Sequence, residues 1–248
     1  MKVLVACFVY NERKYLPPMI DWYTGQGCDM LILDNMSDDG TWEYLIDDCK
    51  CKGDSYLAIS RISTDGAFDL RVLQAELCRK IAFLQPDWVV YVGADFYFIF
   101  DAPLPKLIQG VDCEGYNQIA VRHYTVFNTG EERGLPLQNY YFWAGIDHDL
   151  VMISKYEEGF KIEADQIHLL NPKVKKVEGI SLNYGQCKPA EEREITFQRR
   201  QLAWERGMTR GWGFHYLENK QRGWIHDRKN LVYLPETSDW KWIQKIIV

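Results

Sequence analysis

The chain of 248 residues predicts an α/β fold: a mainly parallel, doubly wound sheet with a mixed edge and a helical C-terminal extension. Three observations carry this prediction. Strand-length apolar runs alternate with amphipathic helical segments over residues 1–105, the pattern of a parallel sheet. The first two runs each break abruptly into acidic and amide residues, so the strands end at a polar edge. No linker, repeat or low-complexity tract divides the sequence. One domain over 1–248 is expected, with residues 1–105 and 106–248 as its two halves.

The elements follow in order. VLVACFVYNE at 3–12 is a first strand and its loop, and MLILDNMSDDGT at 30–41 a second. RKYLPPMIDWYTGQGCD between them has room for one helix, with Leu16, Met19, Ile20 and Tyr23 on an apolar stripe. This βαβ unit implies parallel strands whose carboxyl ends lie side by side, where open α/β sheets bind ligands. Asn11, Glu12, Asp34, Asn35, Ser37 and Asp39 would gather there, a set suited to the hydroxyls and amides of a nucleoside. TWEYLIDDCKC reads as a helix capped by Asp38 or Asp39, with Trp42, Leu45 and Ile46 inward. SYLAISRIS is a third strand. FDLRVLQAELCRKIAFLQ is a helix with Leu70, Leu73, Leu77, Ile81 and Leu84 on one stripe. WVVYVGADFYFIF is a buried strand ending at Asp95, and DAPLPKLI a Pro-broken turn into a short helix. NQIAVRHYTVF adds a strand, EERGLPLQNYYF a surface loop, and LVMISK a short strand near the sheet edge with IHLL as a candidate partner. AEEREITFQRRQLAWERG is a helix, with Pro189 near its start and Gly207 at its end. No element is predicted for the remainder.

A net charge of −6 argues against a nucleic-acid partner. The balance is uneven: residues 188–229 carry ten Lys or Arg against six Asp or Glu. That basic stretch suits an acceptor-facing or membrane-facing region, or a solvated helical surface. Seven cysteines, an odd number lying in apolar patterns, read as reduced core thiols of a cytoplasmic protein. Cys49-x-Cys51 has the wrong spacing for structural zinc. The N-terminal apolar run is only strand-length, so no signal peptide is expected, and no segment reaches the length of a spanning helix. The tail SDWKWIQKIIV, with its Trp, Ile and Lys, is the expected point of any peripheral contact with the inner face of a membrane. Phosphate-cradling, dinucleotide and nucleophile-elbow motifs are missing from the sequence. A haloacid-dehalogenase phosphatase would need an acid two residues after Asp34, where Met36 stands.

VYNE, the helix after it, and LILDNMSDDGT together resemble the nucleotide-binding half of family 2-type glycosyltransferases with the Rossmann-like GT-A fold. The resemblance implies a polysaccharide-biosynthesis enzyme. It would move a sugar from a nucleoside-diphosphate sugar, UDP-linked, to a glycan or lipid-linked acceptor with inversion. It assigns donor binding to Asn11, Glu12, Asp34, Asn35, Ser37, Asp39, Arg71 and Asp95. Where the family carries a D-x-D element for a divalent cation, this chain reads Gly93-Ala94-Asp95, then Phe96. A Mg²⁺ or Mn²⁺ ion would thus have Asp95 alone of that motif. Asn183-Tyr184 stands where relatives carry His-Tyr. Arg71, Lys188, Arg193, Arg199 and Arg200 are the cations available to a leaving diphosphate. The base that takes the acceptor's proton would be Asp147 or Asp149, with Asp165 as a further candidate. Tyr140, Tyr141, Phe142 and Trp143 form either a sugar platform or a buried wall. The thinned metal motif leaves an alternative: a catalytically impaired domain that binds nucleotide or glycan. A nucleotidyltransferase would need a Gly-rich, basic loop after the first strand, and this sequence does not have one. On sequence alone, Asp34→Ala should abolish UDP binding and leave stability nearly unchanged.

Overall fold

A computed structural model of the chain describes residues 1–47, 55–128, 140–143, 149–163, 166–186, 190–206 and 231–233. The first half alternates as predicted: β1 (Val3–Val9), α1 (Leu16–Thr24), β2 (Asp29–Asp34), α2 (Thr41–Asp47), β3 (Leu57–Arg61), α3 (Leu70–Leu84) and β4 (Trp88–Tyr91). β1 and β2 are buried almost throughout, as unbroken apolar strands covered on both faces must be. α1 buries Leu16, Met19, Ile20 and Tyr23, the expected stripe, and opens on prolines whose missing N–H groups would be unpaired in any first turn. Asp69 caps α3 by accepting from the Arg71 and Val72 backbone N–H groups.

These strands pair in parallel in the order β3-β2-β1-β4. The chain steps outward from β1 to β3, then returns past β1 to β4. Right-handed crossovers therefore put α1 and α2 on one face and α3 on the other. The winding reverses between β1 and β4, and the carboxyl ends of those two strands flank the crevice where such sheets bind ligands.

Beyond β4 the sheet becomes mixed. β5 (Phe96–Ile99), α4 (Leu104–Cys113), β6 (Gln118–Asn128), β7 (Tyr140–Trp143) and β8 (Asp149–Lys155) come first. The hairpin of β9 (Lys161–Glu163) and β10 (Gln166–His168) follows, then β11 (Val174–Gln186), α5 (Ala190–Glu205) and β12 (Leu231–Tyr233). The order continues β4-β8-β6-β7-β12, each pair antiparallel. β11 lies along β6 in parallel and clasps β5 antiparallel on its other side.

Four expectations are corrected. WVVYVGADFYFIF forms two strands rather than one, because a turn closed by Phe96 N–H donating to the Gly93 carbonyl at 3.1 Å redirects the chain onto β11. LVMISK is β8, inside the sheet between β4 and β6, not near its edge. Its candidate partner pairs with β9 instead. The tail of the expected loop EERGLPLQNYYF forms β7, its first residues lying outside the described ones. β11 was not anticipated at all.

Candidate functional site

At the carboxyl ends of β1, β2 and β3 the backbone takes three left-handed turns, at Asn11 (φ 54°), Met36 (φ 56°) and Asp65 (φ 51°). Asn and Asp tolerate this conformation; Met does so only where its surroundings dictate it. The first two loops interlock. Asn11 N–H donates to Ser37 Oγ at 2.9 Å, Asn11 Nδ2 to Asp38 Oδ1 at 2.7 Å, and Asp38 N–H back to Asn11 Oδ1 at 3.0 Å. Glu12 N–H donates to Thr41 Oγ1 at 2.9 Å, and Arg13 N–H to Asp39 Oδ2 at 3.0 Å. Asp39 Oδ1 also accepts from Thr41 N–H at 3.0 Å, at the start of α2.

Asp34 has no exposed surface. Its carboxylate accepts from Ser37 N–H at 3.2 Å and from Arg61 Nε at 2.9 Å, while Arg61 Nη2 reaches the Ser37 carbonyl at 2.8 Å. Arg61 is the register partner of Asp34 on β3 and stacks over Trp42 at 5.0 Å. Buried Asn35 meets Thr64 Oγ1 through its side-chain amide at 3.0 Å, and the Thr64 hydroxyl donates to the Ala67 carbonyl. The structure thus gathers the six predicted residues of the two loops at one edge. It also shows Asn11, Asp34, Ser37 and Asp39 bonded into a frame. Arg61, which completes that frame, escaped the sequence reading, although its place at the end of a strand next to an acidic strand end was a usable signal.

Asp95 lies across the switch point, in the turn after β4. A Cβ on Gly93 would come within 2.8 Å of Asp95 Oδ1, so a side chain at 93 and the present Asp95 conformer exclude one another. Tyr97 beside it is pushed up to about 12 by burial and then by the Asp95 charge. Tyr15 is raised further, first by burial and then by Glu192, Glu12 and Asp95, and its hydroxyl donates to Glu192 Oε2 at 3.1 Å. Glu12, Asp95 and Glu192 thus share this end of the crevice with two partly buried phenols. Asn183 pairs in register with Phe96, next to the Asp95 turn. His123 is buried behind, stacked on Phe96 with ring centroids 5.2 Å apart and Nδ1 2.9 Å from Ser181 Oγ; no sequence pattern marked it.

The remaining candidates are more scattered. Asp149 heads β8, and antiparallel pairing with β4 puts it at the same edge as Asp95. Its carboxylate pairs with Lys176 Nζ at 2.8 Å. Arg71 is exposed in the first turn of α3, 3.8 Å from Asp69. Arg193 and Arg200 lie on α5. Asp147, Asp165 and Lys188 fall outside the described residues. Among the described residues, no group of three or more His, Cys, Asp or Glu is placed to hold a metal ion.

α5 lies across the strand ends. Besides Tyr15–Glu192, Phe68 N–H donates to the Arg199 carbonyl at 3.0 Å and Arg206 Nη1 to the Asp65 carbonyl at 2.9 Å. The Arg199 side chain turns back to the loops. Nε donates to the Gly66 carbonyl at 2.9 Å, and the guanidinium lies 3.2 Å over the Tyr10 ring. Burial lowers its proton affinity, against the opposing fields of Tyr10, Asp38 and Asp34. Between α5 and the loops is a cleft of about 320 Å³, walled by Tyr10, Met36 and Gly66 on one side and Ile195, Gln198, Arg199 and Leu202 on the other.

No family model and no curated protein matches the chain. Solved structures do. One, from Desulfovibrio desulfuricans and described as a nucleotide-diphospho-sugar transferase, is 16% identical with a TM-score of 0.31, over 50% of this chain and 59% of that one. HddC from Yersinia pseudotuberculosis is 12% identical with a TM-score of 0.43, over 80% and 99%. A 4-diphosphocytidyl-2C-methyl-D-erythritol synthase from Anaerococcus prevotii is 15% identical with a TM-score of 0.41, over 81% and 98%. The chain spans 59% of the Desulfovibrio protein. Likenesses this distant say nothing of the reaction.

Proposed function

We propose that the chain is a glycosyltransferase of GT-A-like architecture that takes a nucleoside-diphosphate sugar, UDP-linked, and passes its sugar with inversion to a glycan or lipid-linked acceptor. The observation that carries this is the convergence of two acid- and amide-rich loops, after β1 and β2, on the switch point opposite Asp95. A nucleoside lies against the interlocked loops, and its diphosphate points to the Asp95 turn. Mg²⁺ is commonly held by one or two carboxylates together with substrate phosphates. Asp95 therefore fits a cation that arrives with the donor better than one held by protein alone. Such a cation would neutralise charge on the departing diphosphate. Asp149, or Asp147 just before it, is the carboxylate that accepts the acceptor hydroxyl's proton.

The test is release of UDP from a panel of UDP-sugars, with Mg²⁺, with Mn²⁺ and with EDTA. Turnover of at least one donor is expected, falling about 100-fold or more in Asp95→Asn. The rival, a domain that binds nucleotide without catalysis, is favoured by the single carboxylate at 93–95. Binding of UDP without turnover of any donor establishes that rival; failure to bind UDP removes both.

A further inference from the structure

The cleft under α5 is lined by one buried donor that has no hydrogen-bond partner among the described residues. Arg199 is 8% exposed, yet its Nη1 has no hydrogen-bond partner and no contact with solvent, while Nε is held by the Gly66 carbonyl. A buried N–H lacking an acceptor is costly and uncommon, so the missing acceptor points to a ligand. The walls restrict its chemistry. Beside Gly66, Gln198 and Arg199, the walls are Tyr10, Met36, Ile195 and Leu202, an aromatic and apolar half that gives a phosphate nothing in place of its water. The carboxylate of nearby Asp34 is already engaged by Arg61 and Ser37. A flat heteroaromatic ring bearing a carbonyl oxygen meets both demands.

We propose that Arg199 is the base-reading residue of the donor site, its Nη1–H donating to a ring carbonyl of the nucleobase. α5 then forms one wall of the nucleotide pocket. This rests on the nucleotide-sugar function proposed above. The cleft adjoins the ends of β1, β2 and the loop after β3, whereas Asp95 follows β4. Three strand spacings, roughly 14 Å, separate the outer two, so the base lies toward β3 and the diphosphate toward Asp95. Uracil, thymine, cytosine and guanine carry a ring carbonyl; adenine carries none. Adenine nucleotides are therefore disfavoured, as sites built around a hydrogen bond discriminate against analogues that cannot make it.

The test is calorimetric binding of UDP, ADP and inorganic pyrophosphate to the full chain, in the wild type, Arg199→Met and Arg199→Lys. The wild type should bind UDP about tenfold or more tightly than ADP. Arg199→Met should lose about tenfold in UDP affinity, bring UDP and ADP to parity, and leave pyrophosphate unchanged. Arg199→Lys, which keeps the charge but not the planar fork, should show the same base-selective loss and decides the matter if the Met variant does not fold. Equal loss of UDP, ADP and pyrophosphate would assign Arg199 to the phosphates and overturn the proposal. So would wild-type protein that binds ADP as tightly as UDP, or UDP binding unchanged in a folded variant. Failure of the wild type to bind any nucleotide would instead bring down the underlying function.

Discussion

Asp34 shows what a single position can and cannot announce. Its place at the end of an apolar strand marks it as a candidate site residue, but its pairing with Arg61 depends on a strand end 27 residues further on. Removing that carboxylate strips a partner from Arg61 and from a buried N–H. Asp34→Ala should cost about 1–3 kcal/mol, lowering the melting temperature by several degrees, besides any loss of UDP affinity. This replaces the expectation of unchanged stability, and an unaltered thermal midpoint would contradict it. Gly93 makes a converse point. Gly93→Asp would restore the D-x-D spelling, yet its Cβ meets Asp95 Oδ1 at 2.8 Å. The Asp95 carboxylate must therefore turn away, and donor turnover should fall rather than rise. Cys28 is pushed from an ordinary 9.0 up to about 12 by burial, and secondarily by Asp29. Its folded pKa exceeds its unfolded one, so its contribution to stability is full below pH 9 and fades as pH climbs toward 12. In native protein at pH 8, a thiol reagent should spare Cys28 and modify exposed Cys113.

Elements with a clean period were legible, and those held by pairing were not. The apolar stripes of α1 and α3 appear in the sequence because helix and core face meet once per turn. Leu77→Ala, in a fully buried position of α3, should cost about 2–5 kcal/mol in urea unfolding. β11 has no such signature. Its first half carries Lys175, Lys176 and Glu178 and is largely exposed, and the register slips between Lys176 and Ile180. What makes it a strand is pairing with β6 along its length, and with β5 as well at Ile180–Asn183, both distant in sequence. Gly179 is what permits the slip. With φ at 152°, an added Cβ would strike the Phe100 ring and approach the Ile99 carbonyl oxygen at 2.8 Å. Gly179→Ala should destabilise the protein by about 1–3 kcal/mol, seen as a lower urea midpoint at constant slope; an unchanged midpoint would show that the seam relaxes freely.

For the molecule as a whole, the parallel half and its polar edge were readable because βαβ crossovers are right-handed and the chain returns past β1. The mixed half was not, since nothing local says that β8 inserts beside β4 or that α5 closes over loops more than 120 residues earlier in the chain. That closure matters most for function, because it gives the edge a wall and a cleft. No helix among the described residues is long and apolar enough to cross a membrane. The central claim is that a nucleoside diphosphate lies along the carboxyl edge from the loop after β3 to the turn after β4. Hydrogen exchange with and without saturating UDP tests it most directly. Slowed exchange confined to 9–12, 34–39, 64–68, 93–96 and the facing turns of α5 is the predicted result; unchanged exchange at those segments, with slowing at any other surface, would contradict it.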